Sequence, residues 1–188
     1  MERLPPLSYD DMSDRQKQVY REIAAGPRGE VRGPLAVWLN RPELADGAQA
    51  LGRYCRYDSL LPPRLSELAI LTTARVWGSE YEWAVHKPIA LDAGISPDTV
   101  EAIRSNREPA FSHPDEAVVF RFARTLHTKR RIDDDLFDQT VAVLGADATV
   151  DLVGLLGYYT LISMTINVFG AALPDGREPE LGSEPTPP

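Results

Sequence analysis

Leu61-Pro62-Pro63-Arg64-Leu65-Ser66-Glu67-Leu68-Ala69-Ile70-Leu71, followed after a short gap by Ser79-Glu80-Tyr81-Glu82-Trp83-Ala84-Val85-His86, is the stretch on which the reading of this chain turns. Beyond the Leu61-Pro62-Pro63 turn, the segment from Leu65 to Trp77 is apolar nearly all round, which predicts a central helix. A second helix is predicted from about Ser79 to Ala93, closing at Gly94, a natural residue just past a helix end. At 3.6 residues per turn, Ser79, Glu82 and His86 share one face, flanked by Trp83, Ile89, Ala90 and Ala93. Polar groups thus sit inside an apolar stripe, where a carboxylate and an imidazole are costly unless hydrogen-bonded.

Pro88 lies inside this second helix, so the carbonyl of Ala84 loses its usual partner, and a kink or a water site beside His86 is expected. On the first helix Glu67 has Ile70, Leu71 and Ala74 as same-face neighbours, and it too is predicted to be shielded from water. Spacing alone leaves two readings open. Glu82 and His86 are either a buried functional pair or an exposed i,i+4 pair worth a few tenths of a kcal/mol. Glu67 is either part of that site or a structural carboxylate holding Arg75 or Arg64.

Working outward, no run alternates with period two, and helical spacing dominates, so the chain reads as all-α. Helices are predicted from Ser13, as N-cap, to Ala25; briefly after Gly33-Pro34; from Pro42 to near Tyr57; from Ser96-Pro97 to Arg104; from Pro114 to Leu126; and from Asp134 to Leu144. Leu152 to Leu173 carries no charge and is long enough to cross a bilayer. Its glycines, Tyr158, Tyr159, Thr160, Ser163, Thr165 and Asn167 suit a buried core or subunit-interface helix better, so no membrane span is assigned and a homo-oligomer is expected. The 188 residues form one domain, with 174–188 expected to be an unstructured tail.

A formal charge of −8 argues against nucleic acid or an anionic membrane as partner and points to small molecules or other subunits. The single cysteine, Cys55, allows no intramolecular disulfide and no cysteine-based zinc site, which suits a reducing cytoplasm; its expected role is a small buried apolar side chain. The residues after Met1 lack the apolar core of a secretion signal, so a cytoplasmic protein is expected. His113 reads as a loop or capping residue, and His127, near Lys129, Arg130 and Arg131, as solvated. Without an HExxH motif or clustered histidines, no metal is assigned.

The run from Leu61 to Ser96 closely resembles the core hairpin of the carboxymuconolactone decarboxylase and alkylhydroperoxidase D-like superfamily, with looser similarity that includes Leu156-Gly157-Tyr158-Tyr159. The peroxidase branch has a glutamate on the first helix, then Cys-x-x-Cys-x-x-x-His on the second; the matching positions here are Glu67, Ser79, Glu82 and His86. Glutamate and histidine are kept, and both cysteines are replaced. Serine and glutamate supply neither an attacking thiolate nor a resolving thiol, so peroxidase activity by the family mechanism is not expected.

What the resemblance implies is an alkylhydroperoxidase D-like helical bundle, assembled as a trimer or hexamer. It implies a cofactor-free lyase acting on a small anionic lactone or β-keto acid. In that reading His86 carries the proton, Glu82 orients it and raises its pKa, and Glu67 is a second acid–base group. Arg75 or Arg64 meets the substrate carboxylate, Tyr158 or Tyr159 meets the oxyanion, and Ser79 and Trp83 line the site. Two other classes stay open: a residual redox protein using Cys55, and a non-catalytic helical scaffold, whose signature is Glu67, Glu82 and His86 exposed with no pocket beside them.

Overall fold

α4 (Pro63–Trp77) is the axis of the molecule, because ten consecutive residues, Leu65 to Ala74, are buried. A computed structural model of the chain describes residues 3–182. Around α4 pack α5 (Glu80–Asp92), α7 (Pro114–Lys129) and α9 (Ala146–Phe169). The other helices are α1 (Asp14–Ala25), α2 (Pro34–Trp38), α3 (Pro42–Arg53), α6 (Pro97–Arg104) and α8 (Asp134–Leu144). Among the described residues there is no strand, and the all-α class stands.

Local chemistry explains most boundaries. Ser13 and Gln16 form the reciprocal capping box that starts α1, and Ser96 and Asp133 cap α6 and α8 through their side chains. Proline opens α2, α3, α4, α6 and α7, where its missing N–H costs nothing. Gly78, at φ 58°, ends α4 in the left-handed region and turns the chain straight into α5, making the α4–α5 hairpin. Thr72 and Thr73 satisfy their buried hydroxyls on the carbonyls of Leu68 and Ala69, so these two polar residues sit inside α4 without orphaned hydroxyls.

Three expectations need correction. The helix from Pro42 does not run on as one α-helix to Tyr57: α3 stops at Arg53, and Tyr54–Asp58 forms a π turn. α7 extends past Leu126, which turns His127 inward; it is buried, and its Nε2 lies 2.9 Å from Thr73 Oγ1. Since that hydroxyl donates to the Ala69 carbonyl, Nε2–H is the donor to Thr73, and burial pushes the imidazole pKa down to about 4.

The third correction concerns the tail. Pro174–Gly176 forms a 3₁₀ turn, Leu181 is buried, and the backbone N–H groups of Glu180 and Leu181 each donate to the Glu80 carboxylate at 2.8 Å. Residues 174–182 are therefore packed onto α5; 183–188 lie outside the described residues.

α9 begins at Ala146, before the uncharged stretch, and one side of it buries Leu152, Leu155, Leu156, Tyr158, Tyr159, Ile162 and Ile166. Its other side exposes Val150, Val153, Leu161, Met164 and Val168, with Gly154 and Gly157 between them facing open space.

Candidate active site

The hairpin turn sets Glu67 of α4 against His86 of α5, with Glu67 Oε2 2.6 Å from His86 Nδ1. On the other side of the ring, Nε2 lies 3.2 Å from Glu82 Oε2, one turn earlier on α5, and 3.4 Å from the Tyr159 hydroxyl of α9. The Tyr159 ring meets the imidazole edge-on, at 5.2 Å between centroids. All four side chains are no more than 5% exposed, so the arrangement is a buried relay of carboxylate, imidazole, carboxylate and phenol.

Burial disfavours a charged imidazole, but Glu67, helped by Glu82, outweighs it and raises the His86 pKa to about 9. His86 is thus an imidazolium at neutral pH, a proton donor held in fixed orientation. Burial pushes the Tyr159 pKa well above its ordinary value, against the opposing field of Arg56, and keeps the hydroxyl protonated. Because the carboxylates occupy opposite ring nitrogens, Glu67, Glu82 and His86 do not converge on one point where an ion would sit.

His86, Glu82 and Tyr159 line a cavity of about 210 Å³ that also receives Arg28, Arg56 and Tyr158. Glu67 does not line it; it stands behind His86, so it acts on the ring and Glu82 faces the cavity. Glu82 keeps its expected influence on the imidazole, and Glu67, expected as a second acid–base group, adds the larger one.

Arg28 donates to the Tyr158 hydroxyl at 3.2 Å, and Arg56 lies over the Tyr57 ring, 5.2 Å from its centroid. The third cavity arginine, Arg32, is paired with Glu30 at 3.0 Å. Burial works against the charge of Arg56, yet the fields of Tyr159, Tyr57, Glu67 and Glu82 hold it protonated. With Arg28, Arg56 and His86 cationic against Glu67 and Glu82, the site is formally positive inside a chain of net charge −8. Such a pocket suits a small anion.

Arg56 reaches the cavity because of the π turn, a feature that often marks functional sites. Buried Asp151 of α9 anchors that turn, accepting from the Tyr54 hydroxyl and the Leu60 N–H, both at 2.7 Å. Gly52 is required just before it, since a Cβ there would collide with the Tyr158 hydroxyl and the Arg28 guanidinium. Sequence reading missed Arg28, Arg56, Asp151 and Gly52; only the Gly26-Pro27-Arg28-Gly29 breaker drew attention, and that as a loop.

Four expected site residues fall elsewhere. Arg64 and Arg75 sit on one side of α4, rotated roughly 60–80° from Glu67 at 100° per residue, which aims them at α7. Arg64 pairs with Asp115 and Glu116, and Arg75 lies beside Phe120 and Arg124. Trp83 is fully buried, and its indole N–H donates to Glu180, away from the cavity. Ser79 is buried outside the cavity lining, and its hydroxyl has no hydrogen-bond partner among the described residues. Cys55 is also buried outside the lining, with its thiol pKa raised to about 11, first by burial and then by Asp151.

The carboxymuconolactone decarboxylase family matches residues 42–125, which span α3, the arginine-bearing turn, the α4–α5 hairpin, α6 and most of α7. The match takes in the hairpin that bears Glu67, Glu82 and His86, and the helical architecture is that of alkylhydroperoxidase D-like proteins, although the paired cysteines are absent here. An alkylhydroperoxidase core protein, an uncharacterized peroxidase-related protein from Ralstonia eutropha JMP134, superposes with a TM-score of 0.77 at 16% identity, over 93% of each chain. A peroxidase-related protein from Silicibacter sp. TM1040 gives 0.73 at 13% identity, over 91% of each chain. The debrominase Bmp8 gives 0.72 at 16% identity, over 90% of this chain and 91% of its own; a cysteine-to-alanine variant of it is known in complex with 2,3,4-tribromopyrrole. At these identities the likeness is one of fold. No curated protein matches the sequence.

Proposed function

We propose that the cavity is the active site of a lyase that decarboxylates a small anionic lactone or β-keto acid by acid–base catalysis, without a cofactor. The observation that carries this reading is the buried Glu67–His86–Glu82 relay opening onto a cavity with two arginines, Arg28 and Arg56, that form no ion pair with a carboxylate among the described residues. In such a reaction the C–C bond to the carboxylate breaks and its electron pair flows into the conjugated carbonyl, leaving CO₂ and an enolate. The Tyr159 hydroxyl donates to the enolate oxygen, with Arg56 countering the charge. The enolate carbon then takes a proton from His86 through its cavity-facing side, and water restores that proton. Arg28 is suited to hold a second anionic group of the substrate.

The signature of a scaffold, these three residues exposed with no cavity, is not what the molecule has. A redox role gains no support from a buried thiol with a raised pKa. The test is a panel of carboxylated lactones and β-keto acids in deuterated water, scored for CO₂ release and for deuterium on carbon. Release that disappears in His86→Gln supports the reading; no release from any member of the panel overturns it.

We further propose that a second copy of the chain covers the exposed side of α9. Two such faces meet without like-charge repulsion despite the net charge, and Gly154 and Gly157 permit close approach.

A further inference from the structure

α5 carries two stripes on opposite sides. Glu82, Val85, His86 and Ile89 line the cavity. Glu80, Trp83, Ala84 and Lys87, roughly 160° around the helix at 100° per residue, all meet the C-terminal segment 174–182. Glu180 accepts from the Trp83 indole at 3.3 Å and from the Lys87 ammonium at 2.5 Å. Its own carbonyl accepts from Arg104 of α6 at 3.1 Å, so the segment ties α5 to α6. Leu181 is buried beside them.

The contact at Ala84 differs in kind. In an uninterrupted helix its carbonyl would accept from the N–H of residue 88, but Pro88 has none. The Arg177 guanidinium donates to that carbonyl instead. Ala84 lies two residues from Glu82 and two from His86, and it is buried, so the orphaned acceptor falls in the middle of the site-bearing turn. An acceptor buried there without a donor is unfavourable and invites water into the turn.

We propose that Arg177 is a positioning residue. It replaces the backbone hydrogen bond that Pro88 removes, and with the rest of segment 174–182 it clamps α5 from behind so that Glu82 and His86 keep their register on the cavity. Only the kinetic readout below rests on the lyase reading; the contact itself does not.

The test uses the full chain carrying Arg177→Met or Arg177→Lys, each in the native and in a Pro88→Ala background. Amide exchange of Lys87, Ile89 and Ala90 and the NMR titration of His86 are followed. Arg177→Met is expected to speed exchange about tenfold, the fold-change matching loss of one partner of a buried carbonyl. It also lowers the His86 titration point as water reaches the Glu67 contact, and Arg177→Lys falls between. In Pro88→Ala chains residue 88 again has an N–H, and Arg177→Met changes neither readout. With a substrate in hand, Arg177→Met lowers kcat with little change in KM. Native-like exchange and titration in Arg177→Met, or an equal loss in both backgrounds, overturns the proposal. Should Pro88→Ala not fold, the Met and Lys variants in the native background still decide it. If exchange and titration respond as expected while no substrate is turned over, the lyase reading fails and the positioning role stands.

Discussion

Glu67 Oε2 sits 2.6 Å from His86 Nδ1, bridging the two helices of the hairpin through a carboxylate that does not line the cavity. That contact is shorter than the 3.2 Å approach of Glu82 on the other ring nitrogen, and Glu67 is the stronger influence raising the imidazole pKa. Both Glu67→Gln and Glu82→Gln are expected to move the His86 limb of the pH–rate profile to lower pH, Glu67→Gln further. His86→Gln should lower kcat by a factor of about 10² to 10⁴ with the fold retained. Wild-type rates and profiles in all three variants would make the relay structural.

The same pair makes stability depend on pH. The folded value of about 9 lies above the ordinary imidazole value, about 6.5, so the contribution is complete below about 6.5 and is lost as pH rises through about 9. Urea midpoints measured from pH 6 to pH 10 should fall across that window in the native chain, and His86→Gln should flatten the slope.

His127 behaves in the opposite sense. Its folded value of about 4 lies below the unfolded one, so the unfolded chain binds more protons between those values. Stability from the buried neutral ring is present above about 6.5 and is lost as pH falls toward 4. A His127→Gln chain keeps a donor for Thr73, and its unfolding midpoint should drop less between pH 7 and pH 4.5 than that of the native chain.

Cys55→Ser is a near-isosteric exchange of a buried group outside the cavity, expected to change stability by no more than about 1 kcal/mol and to leave turnover intact. Lost turnover with an unchanged melting curve would revive the redox alternative.

A charge placed on the exposed side of α9 tests assembly. Light scattering is expected to report an oligomer for the native chain and a smaller species for Val153→Glu, since Val153 is 47% exposed in the single chain and its replacement would put a carboxylate into an uncharged face. A native chain that stays monomeric at micromolar concentration contradicts the proposal.

Much of this protein was legible in the sequence where the cause is local. Proline openings, the Ser13 N-cap and the all-round apolar α4 depend on residues within a turn or two of one another, and the helices came out close to their predicted spans. Helical period placed Glu82 and His86 in an apolar stripe but left an exposed pair equally open, which their burial in the structure decides, whereas the freed Ala84 carbonyl followed from Pro88 alone. What took the tertiary structure was every partner supplied from far along the chain. The donor to Ala84 is Arg177, the partner of His127 is Thr73, and the cavity cations are Arg28 and Arg56 rather than Arg64 and Arg75. Periodicity states which side of a helix a residue occupies but not which helix faces that side. The division of α4 between α5 and α7, which decides whether an arginine meets the cavity or Asp115, is set by how the whole bundle packs.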